Sequence, residues 1–208
     1  MTNEDLLPQS LFARVDETAD ALFYQAPRLV THIDDATIAA LTEHYRTFLP
    51  DGVDVLDLMS SWISHLPPEK TFGRVSGLGM NEHELATNPR LSEFVVQDLN
   101  RNPHLPYLDA TFDRAMIVVS IQYLIDPVAV FAEVGRVLRI GGQLLVAMSH
   151  RCFPTKAIRA FHVLSAQDRV RLVRECFTRA GCYGDITFID RSPANADPLW
   201  IVTGTRTA

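Results

Sequence analysis

The sequence predicts an α/β protein built on a doubly wound, mostly parallel sheet of seven strands with helices on both faces. From residue 53 onward, short apolar segments that suit buried strands alternate with segments of helical periodicity, and this alternation is typical of parallel sheets. Residues 112–120 are almost continuously apolar, as expected for a central strand that is buried on both faces. The last two strands can pair as an antiparallel hairpin around residues 191–198.

The individual elements follow from periodicity and from helix start and stop signals. Asp34 or Asp35 can cap a helix that the Pro-Asp-Gly sequence at 50–52 stops. Pro127 opens a later helix at a tolerated first-turn position, and we expect the Gly-Gly pair at 141–142 to end that helix. The predicted strands span residues 53–58, 72–78, 93–97, 112–120, 143–148, 183–189 and 199–204. The other predicted helices span residues 82–87 and 166–180.

The length of the chain suits one domain. A chain of 208 residues can form one α/β domain with a substantial core, and no repeat, low-complexity tract or linker interrupts it. We therefore expect a single domain over residues 1–208, in which residues 1–50 form a helical extension before the first strand.

Composition and charge exclude several classes of function. A net charge of −6 argues against a nucleic-acid groove, because phosphate binding needs a basic surface. Three cysteines without CxxC spacing argue against a disulfide framework or a zinc site, so no metal is expected. The amino terminus lacks the apolar core of a signal peptide, and the longest apolar runs are far too short to span a membrane. We expect a cytoplasmic protein without nucleic-acid or membrane partners.

Two acidic residues follow predicted strands at the sheet edge where parallel α/β proteins bind ligands. Asp57 closes the first strand and Asp98 follows the third. Each can also be an ordinary cap or turn residue, but both fall where a ligand would lie, and we favour binding. Trp62, after the first strand, suits stacking on a ligand and filling the loop equally well.

Two stretches resemble class I S-adenosylmethionine-dependent methyltransferases of the type 11 kind. VLDL at residues 55–58 is similar to the family's first strand. FDRAMIVVSIQYLIDPVAVFAEVGRVLRIGGQLLVAMS at residues 112–149 is similar to its fourth strand, the next helix and the fifth strand. The resemblance covers about residues 50–205 and implies a Rossmann-like methyltransferase fold with S-adenosylmethionine as cofactor.

By position, the resemblance implies a set of residues around the cofactor. Asp57 would lie near the amino end of the cofactor, Asp98 and Leu99 beside the adenine, and Ser120 beneath the sulfonium. The full set of implied cofactor-binding residues is Asp57, Met59, Ser60, Ser61, Trp62, Gly79, Met80, Asn81, Asp98, Leu99 and Ser120.

Two departures set the chain apart from the family pattern. The family's glycine turn, G-x-G-x-G, is replaced by MSSWI at residues 59–63. Glycine lets the backbone approach a ligand and adopt positive φ, which other residues do at a cost. We therefore expect another loop path, in which serine hydroxyls replace backbone contacts. The acid that holds the ribose hydroxyls is also missing, because Gly79 stands at its position, and Asn81 or Glu82 would have to compensate.

The candidate groups for the acceptor are few. The candidate proton acceptors are, in order, Tyr123, His150 and His65. Arg151 and Lys156 follow the fifth strand in a run that suits either an anion-binding patch or a solvated loop.

The amino-terminal extension supplies the other substrate-binding candidates. Because relatives build substrate pockets from such additions, Tyr24, Arg28 and His32 are candidates for a lid. The same residues would equally suit an arm that packs on the domain surface.

The predicted function is methyl transfer from S-adenosylmethionine to an unidentified small-molecule acceptor, which can be anionic, by in-line displacement. The expected enzyme works in the cytoplasm, and a homodimer is compatible with the sequence. The alternative is a non-catalytic protein that binds a ligand or partner on a methyltransferase scaffold. A cleft that is open near Asp57 and Asp98 favours the first function, and one filled by Met59, Trp62 and Met80 favours the second. A nicotinamide-dependent oxidoreductase is less favoured, because G-x-G-x-x-G is absent after the first strand.

Overall fold

A computed structural model describes residues 7–207 of the chain, which form a seven-stranded sheet. The strands are β1 (Asp54–Leu58), β2 (Arg74–Gly79), β3 (Glu93–Val96), β4 (Phe112–Val118), β5 (Leu138–Met148), β6 (Tyr183–Asp190) and β7 (Trp200–Arg206). Their order across the sheet is β3-β2-β1-β4-β5-β7-β6. Neighbours from β3 to β5 run parallel, whereas β7 runs antiparallel to both β5 and β6. The predicted fold class, including the antiparallel hairpin, is confirmed.

Four of the six α-helices in residues 7–207 begin at a capping side chain. They are α1 (Asp20–Phe23), α2 (Asp35–Phe48), α3 (Glu82–Thr87), α4 (Pro127–Val137), α5 (Ala160–Val163) and α6 (Ala166–Ala180). The side chains of Asp34, Asn81, Asp126 and Ser165 each accept a hydrogen bond from a backbone N–H in the first turn of α2, α3, α4 and α6, which satisfies a donor that the helix itself leaves unpaired. No helix in residues 7–207 combines the length and apolarity of a membrane span.

The central strand β4 is buried on both faces, as its apolar sequence predicts. On one face Ile117 packs in a core with Phe131 of α4 and Phe177 of α6. On the other face Met116 packs in a second core with Tyr45 of α2. All five side chains are fully buried, and burial of a large apolar side chain contributes about 1.5–3 kcal/mol. The helices thus pack on both faces of the sheet and leave the carboxyl ends of its parallel strands available to form a site.

The Gly-Gly pair at 141–142 does not end α4, and that prediction was wrong. The helix ends at Val137 and β5 begins at the next residue. The glycines lie inside β5, where the register with β4 jumps from Phe112 opposite Leu138 to Arg114 opposite Gln143. This β-bulge takes up the extra residues and uses a positive φ of 81° at the first glycine. The sequence alone could not show this, because it is the pairing of β5 with β4 that makes the two glycines a bulge within one strand and not a turn between a helix and a strand.

The amino-terminal arm, residues 7–33, is fastened to the segment after β5 by buried charges. The side chain of Lys156 is fully buried, and its Nζ lies 3.1 Å from Asp20 Oδ1 and 3.3 Å from Asp16 Oδ2. The same ammonium group donates to the carbonyl oxygen of Thr18 at 2.6 Å, and Arg14 donates to both oxygens of Asp20 at 2.8 Å. A buried charge is tolerated only when it is paired, so these contacts hold the arm in one place. Residues 1–6 of the expected extension lie outside the described residues.

Replacing Lys156 with Met should destabilise the protein, because Asp16 and Asp20 then lose their buried cation. We expect the free energy of unfolding in urea to fall by about 3 kcal/mol, and trypsin to cleave the arm faster. The matched control is Arg171→Met, since Arg171 pairs with Asp168 on the exposed surface, where an ion pair contributes about 0–1 kcal/mol. Equal stability of the two variants would contradict the role given to Lys156.

Candidate functional site

A cavity opens at the carboxyl ends of β1, β2, β3 and β4. It lies at the point where the strand order reverses, since β1 pairs with β2 on one side and with β4 on the other, and this is the usual ligand position in such sheets. The empty space, which includes the open mouth, amounts to about 1250 Å³. All eleven implied cofactor-binding residues line it, together with Tyr24, His32, His65 and Tyr123. His150, Arg151 and Lys156 are not among the residues that line it.

The Asp57 carboxylate at the end of β1 is buried among hydroxyl groups. Its Oδ2 accepts hydrogen bonds from Ser60 Oγ at 2.7 Å and from Ser64 Oγ at 2.6 Å. Asn88 completes the network, because its Nδ2 donates to Ser64 Oγ and to the carbonyl oxygen of Ser61. Burial raises the pKa of Asp57 to about 6, although both hydroxyls oppose the shift. No cation among the described residues pairs with this carboxylate, so it can receive a positively charged group from a ligand.

The loop after β1, residues 59–63, forms a turn without glycine. Met59 itself adopts a positive φ of 54°, at a cost of about 1–2 kcal/mol. The next residue, Ser60, donates its backbone N–H to Leu78 O at 2.9 Å, and its carbonyl oxygen rests on Gly79, where any Cβ would overlap it. The turn therefore still depends on a glycine. This glycine is Gly79 at the end of β2, which leaves room for the carbonyl oxygen of Ser60.

The hydroxyls of the loop bind protein groups. Ser60 bonds to Asp57, and Ser61 Oγ donates to Glu84 Oε2 at 2.5 Å. Trp62 Nε1 donates to the carbonyl oxygen of Val30 at 3.0 Å, so Trp62 ties the loop to the arm while its ring lines the cavity. The serines shape the loop, and Trp62 holds the arm over it.

Three residues that line the cavity have a strained backbone conformation. Met59, His65 and Val119 line it and have positive φ between 50° and 54°. Positive φ is uncommon for any residue with a side chain and is an outlier for a β-branched one such as Val119. Such strain persists where the surrounding structure enforces it and is characteristic of ligand sites.

Asp98 and Ser120 each present an unpaired polar atom to the cavity. Asp98 Oδ1 accepts from the backbone N–H of Asn100 at 3.0 Å, and no described residue donates to its second oxygen. The hydroxyl of Ser120 is buried without a hydrogen-bond partner in residues 7–207. Unpaired buried polar atoms are costly and usually have a ligand or a water as partner.

The position expected to hold the ribose hydroxyls contains a different acid. Asn81 is occupied, because it caps α3 and donates to the carbonyl oxygens of Tyr24 and Gln25. Glu82 is exposed and is not among the cavity-lining residues. Glu84 lines the cavity instead, with 9% of its side chain exposed. Sequence reasoning missed it because an acid three residues after an asparagine reads as an ordinary helix start.

The structure reorders the candidate proton acceptors. Tyr123 OH accepts the backbone N–H of Phe153 at 2.8 Å, and burial raises its pKa to about 12, so the phenol stays protonated at neutral pH. His150 does not line the cavity, and its Nε2 lies 3.1 Å from Asp197. His65 lines the cavity. Burial lowers the pKa of its imidazole, which is therefore neutral at neutral pH and can accept a proton. His65 is the better placed of the three.

The cations after β5, for which the sequence allows either an anion-binding patch or a solvated loop, are paired with acids and do not line the cavity. Arg151 Nε contacts both oxygens of Asp197 at 2.9 and 3.0 Å. Lys156 points away from solvent into the acid cluster of the arm. The sequence could not decide between the two alternatives, because charge partners that are distant in sequence cannot be seen from the run itself.

Aromatic side chains from the arm and from the segment after β5 pack together beside the cavity. Phe153, from the segment after β5, stacks on Tyr123 at 5.6 Å and meets Phe23 edge-on at 5.3 Å. His32 contacts the edge of the same ring at 5.4 Å, and the guanidinium of Arg28 lies 5.3 Å from its centroid. The sequence indicated Arg28 and His32 as lid residues, but gave no sign of Phe153.

Comparison with known sequences finds a methyltransferase domain in residues 63–146. This match is less than half of the chain, and it begins after most of the altered turn. A segment of 94 residues is also 32% identical to methyltransferase GfsG from Streptomyces halstedii. That segment covers 42% of this chain and 32% of the relative, so the chain matches about a third of the relative's length.

Solved structures share the fold over most of the chain. The [4+2]-cyclase SpnF superposes with a TM-score of 0.64 at 17% identity, over 88% of this chain and 90% of that chain. An S-adenosylmethionine-dependent methyltransferase from Mesorhizobium loti superposes with a TM-score of 0.58 at 18% identity, over 82% of this chain and all of that chain. Together with the strand order, these likenesses show that the chain shares the fold of S-adenosylmethionine-dependent methyltransferases, and residues 63–146 match a methyltransferase domain.

Proposed function

We propose that the protein transfers a methyl group from S-adenosylmethionine to a small-molecule acceptor by in-line displacement. The observation that carries the proposal is the open, acid-lined cavity at the reversal point of the sheet. Met59, Trp62 and Met80 line this cavity but are only partly buried and do not fill it. An open cavity with Asp57 and Asp98 on its wall favours ligand binding over a sealed scaffold.

The unpaired polar atoms of the cavity fit this cofactor. Asp57 offers a buried carboxylate without a cation to the ammonium group of the methionine part, and Asp98 offers a free oxygen to the exocyclic amine of adenine. Ser120 brings an unpaired hydroxyl to the segment after β4. We further propose that Glu84 takes the place of the missing ribose acid, because it lines the cavity beside the end of β2, and each of its oxygens can accept a second hydrogen bond besides those from Arg28 and Ser61.

The residues of the chain would act by positioning and by excluding water. When bound, S-adenosylmethionine supplies an electrophilic methyl group on a sulfonium. The loop at 59–65 and the arm would hold the two reactants in line, and such alignment can contribute about 7–11 kcal/mol. A base is needed only if the acceptor must lose a proton, and the neutral imidazole of His65 would then accept it. The arm would act as the lid of a single domain, since Tyr24 and His32 line the cavity mouth.

The second candidate is a protein that uses this scaffold for something other than methyl transfer. It is favoured by the altered turn, in which hydroxyls and Met59 stand where the family has glycine. The likeness to SpnF, named as a cyclase, adds that the fold accommodates another reaction. Binding of the cofactor without methylation of any acceptor would favour this candidate.

Location and assembly remain proposals from the sequence. The cysteine usage and the charge favour the cytoplasm, and a homodimer is compatible with the fold.

Calorimetric titration with S-adenosylhomocysteine tests the binding site. We expect the wild-type protein to bind it, and Asp98→Ala to bind about tenfold more weakly, because one charge-assisted hydrogen bond contributes about 1.5–3 kcal/mol. Asp35→Ala is the matched control, since Asp35 is exposed on α2 and is not among the cavity-lining residues. Absence of wild-type binding at millimolar ligand would refute the proposed function.

Asp57→Asn should stabilise the protein at high pH while weakening cofactor binding. A carboxyl whose pKa is raised to about 6 in the folded state, from about 3.9 when unfolded, contributes stability below pH 4 that is lost as pH rises through 6. The stability gain of the variant over wild type should therefore be larger at pH 8 than at pH 5, by about 1 kcal/mol. Urea unfolding at both pH values measures the gain, and Asp35→Asn should show no such difference. A gain that does not change with pH would contradict the buried, uncompensated state of Asp57.

A further inference from the structure

The guanidinium of Arg28 lies at the cavity mouth with unused donors. Its two terminal nitrogens donate to the carbonyl oxygens of Phe23 at 2.9 Å and of Ala26 at 3.2 Å. An arginine side chain has five N–H groups, so three have no protein acceptor among the described residues. These three donors can meet a ligand.

The charge of Arg28 has no acidic partner in residues 7–207. The other cations around the arm are paired, because Arg14 and Lys156 contact Asp20. Glu84 on α3 accepts the backbone N–H of Arg28 at 2.7 Å, and its other oxygen accepts the hydroxyl of Ser61. Arg28 is thus a cavity-lining cation whose side chain forms no ion pair in the described part of the chain.

Aromatic rings hold this cation in a fixed place. Its Cζ lies 4.3 Å from the centroid of Phe23 and 5.3 Å from that of Phe153. Stacking of a guanidinium on aromatic faces leaves its in-plane N–H donors free and preorganised for a planar or tetrahedral anion. Because the Arg28 guanidinium already lies against these aromatic rings, a quaternary amine is disfavoured as the ligand.

The position of the guanidinium points to the acceptor side of the cavity. Phe153, which it contacts, stacks on Tyr123 in the segment after β4. That segment begins with Ser120, whose buried hydroxyl has no partner among the described residues. Asp57, in contrast, lies at the end of β1. A ligand group at Arg28 would therefore lie beside the reactive end of the cavity.

We propose that Arg28 is the anion-recognising residue of the acceptor pocket and that the methyl acceptor carries a carboxylate or phosphate group. This inference rests on the proposed function and names its substrate class. Arg28 could also bind the carboxylate of the cofactor's methionine part, and the experiment distinguishes this carboxylate from an anionic group on the acceptor.

The experiment uses calorimetry on wild type, Arg28→Gln and Arg28→Lys. Each protein is first titrated with S-adenosylhomocysteine and with 5′-methylthioadenosine, which lacks the carboxylate. The complex with S-adenosylhomocysteine is then titrated with benzoate, phenyl phosphate and the neutral benzamide. Arg101→Gln is the matched control, because Arg101 is exposed, forms no side-chain hydrogen bond within residues 7–207 and is not among the cavity-lining residues. Circular dichroism verifies that each variant is folded.

Wild type should bind benzoate or phenyl phosphate at least about tenfold more tightly than benzamide, as expected for a charge-assisted contact. Arg28→Gln should lose this preference and keep its affinity for S-adenosylhomocysteine, whereas Arg28→Lys should keep part of the preference. Arg101→Gln should behave as wild type.

Two results would overturn the proposal. One is equal wild-type affinity for the three probes. The other is an Arg28→Gln variant that loses affinity for S-adenosylhomocysteine but not for 5′-methylthioadenosine, because Arg28 would then hold the cofactor's carboxylate. If wild type binds no S-adenosylhomocysteine, the proposed function fails, and titration of the three probes into the protein alone still decides whether Arg28 binds anions.

Discussion

The buried Asp57 carboxylate organises the ligand-facing side of this protein. Two serine hydroxyls converge on one of its oxygens, and Asn88 ties the second of these serines to the loop backbone. The network lets a loop without glycine hold a fixed turn, although Met59 must adopt a strained positive φ. The carboxylate lies in a low-dielectric site with neutral donors alone, which raises its pKa. The Asp57 side chain thus both holds the loop through the two serines and presents a buried carboxylate to the cavity.

The arm depends on a second set of buried charges and on this loop. Lys156 and Arg14 fix its beginning through Asp20, while Trp62 and Glu84 bind its end through backbone groups. Both of these residues also line the cavity. The aromatic cluster around Phe153 completes the closure on the acceptor side.

The fold and the reaction are supported by different observations. The strand order and the likeness to solved structures show the fold, and a methyltransferase domain matches residues 63–146, whereas the proposed reaction depends on a cavity wall that this match only partly includes. In this wall Gly79 at the end of β2 leaves room for the carbonyl oxygen of Ser60, and Glu84 on α3 lines the cavity. The acid-lined cavity suits a cationic donor, and Arg28, which lines it without an acidic partner in residues 7–207, suits an anion.

The sequence by itself determined the sheet, most helix boundaries and the edge at which ligands bind, because apolar periodicity and capping residues are local signals. Asp57 and Asp98 could be predicted to lie at this edge for the same reason, because they stand near strand ends, whereas Ser120 was predicted from the resemblance, and all three line the cavity. Only the tertiary structure decided what the charged side chains do. Lys156 and Arg151 looked like an anion patch, but partners more than forty residues away neutralise them, and Arg28 remains without an acidic partner in residues 7–207. The bulge at 141–142 was likewise set by pairing with β4. Charge pairing and strand register depend on contacts between distant residues, and such contacts exist only once the chain has folded.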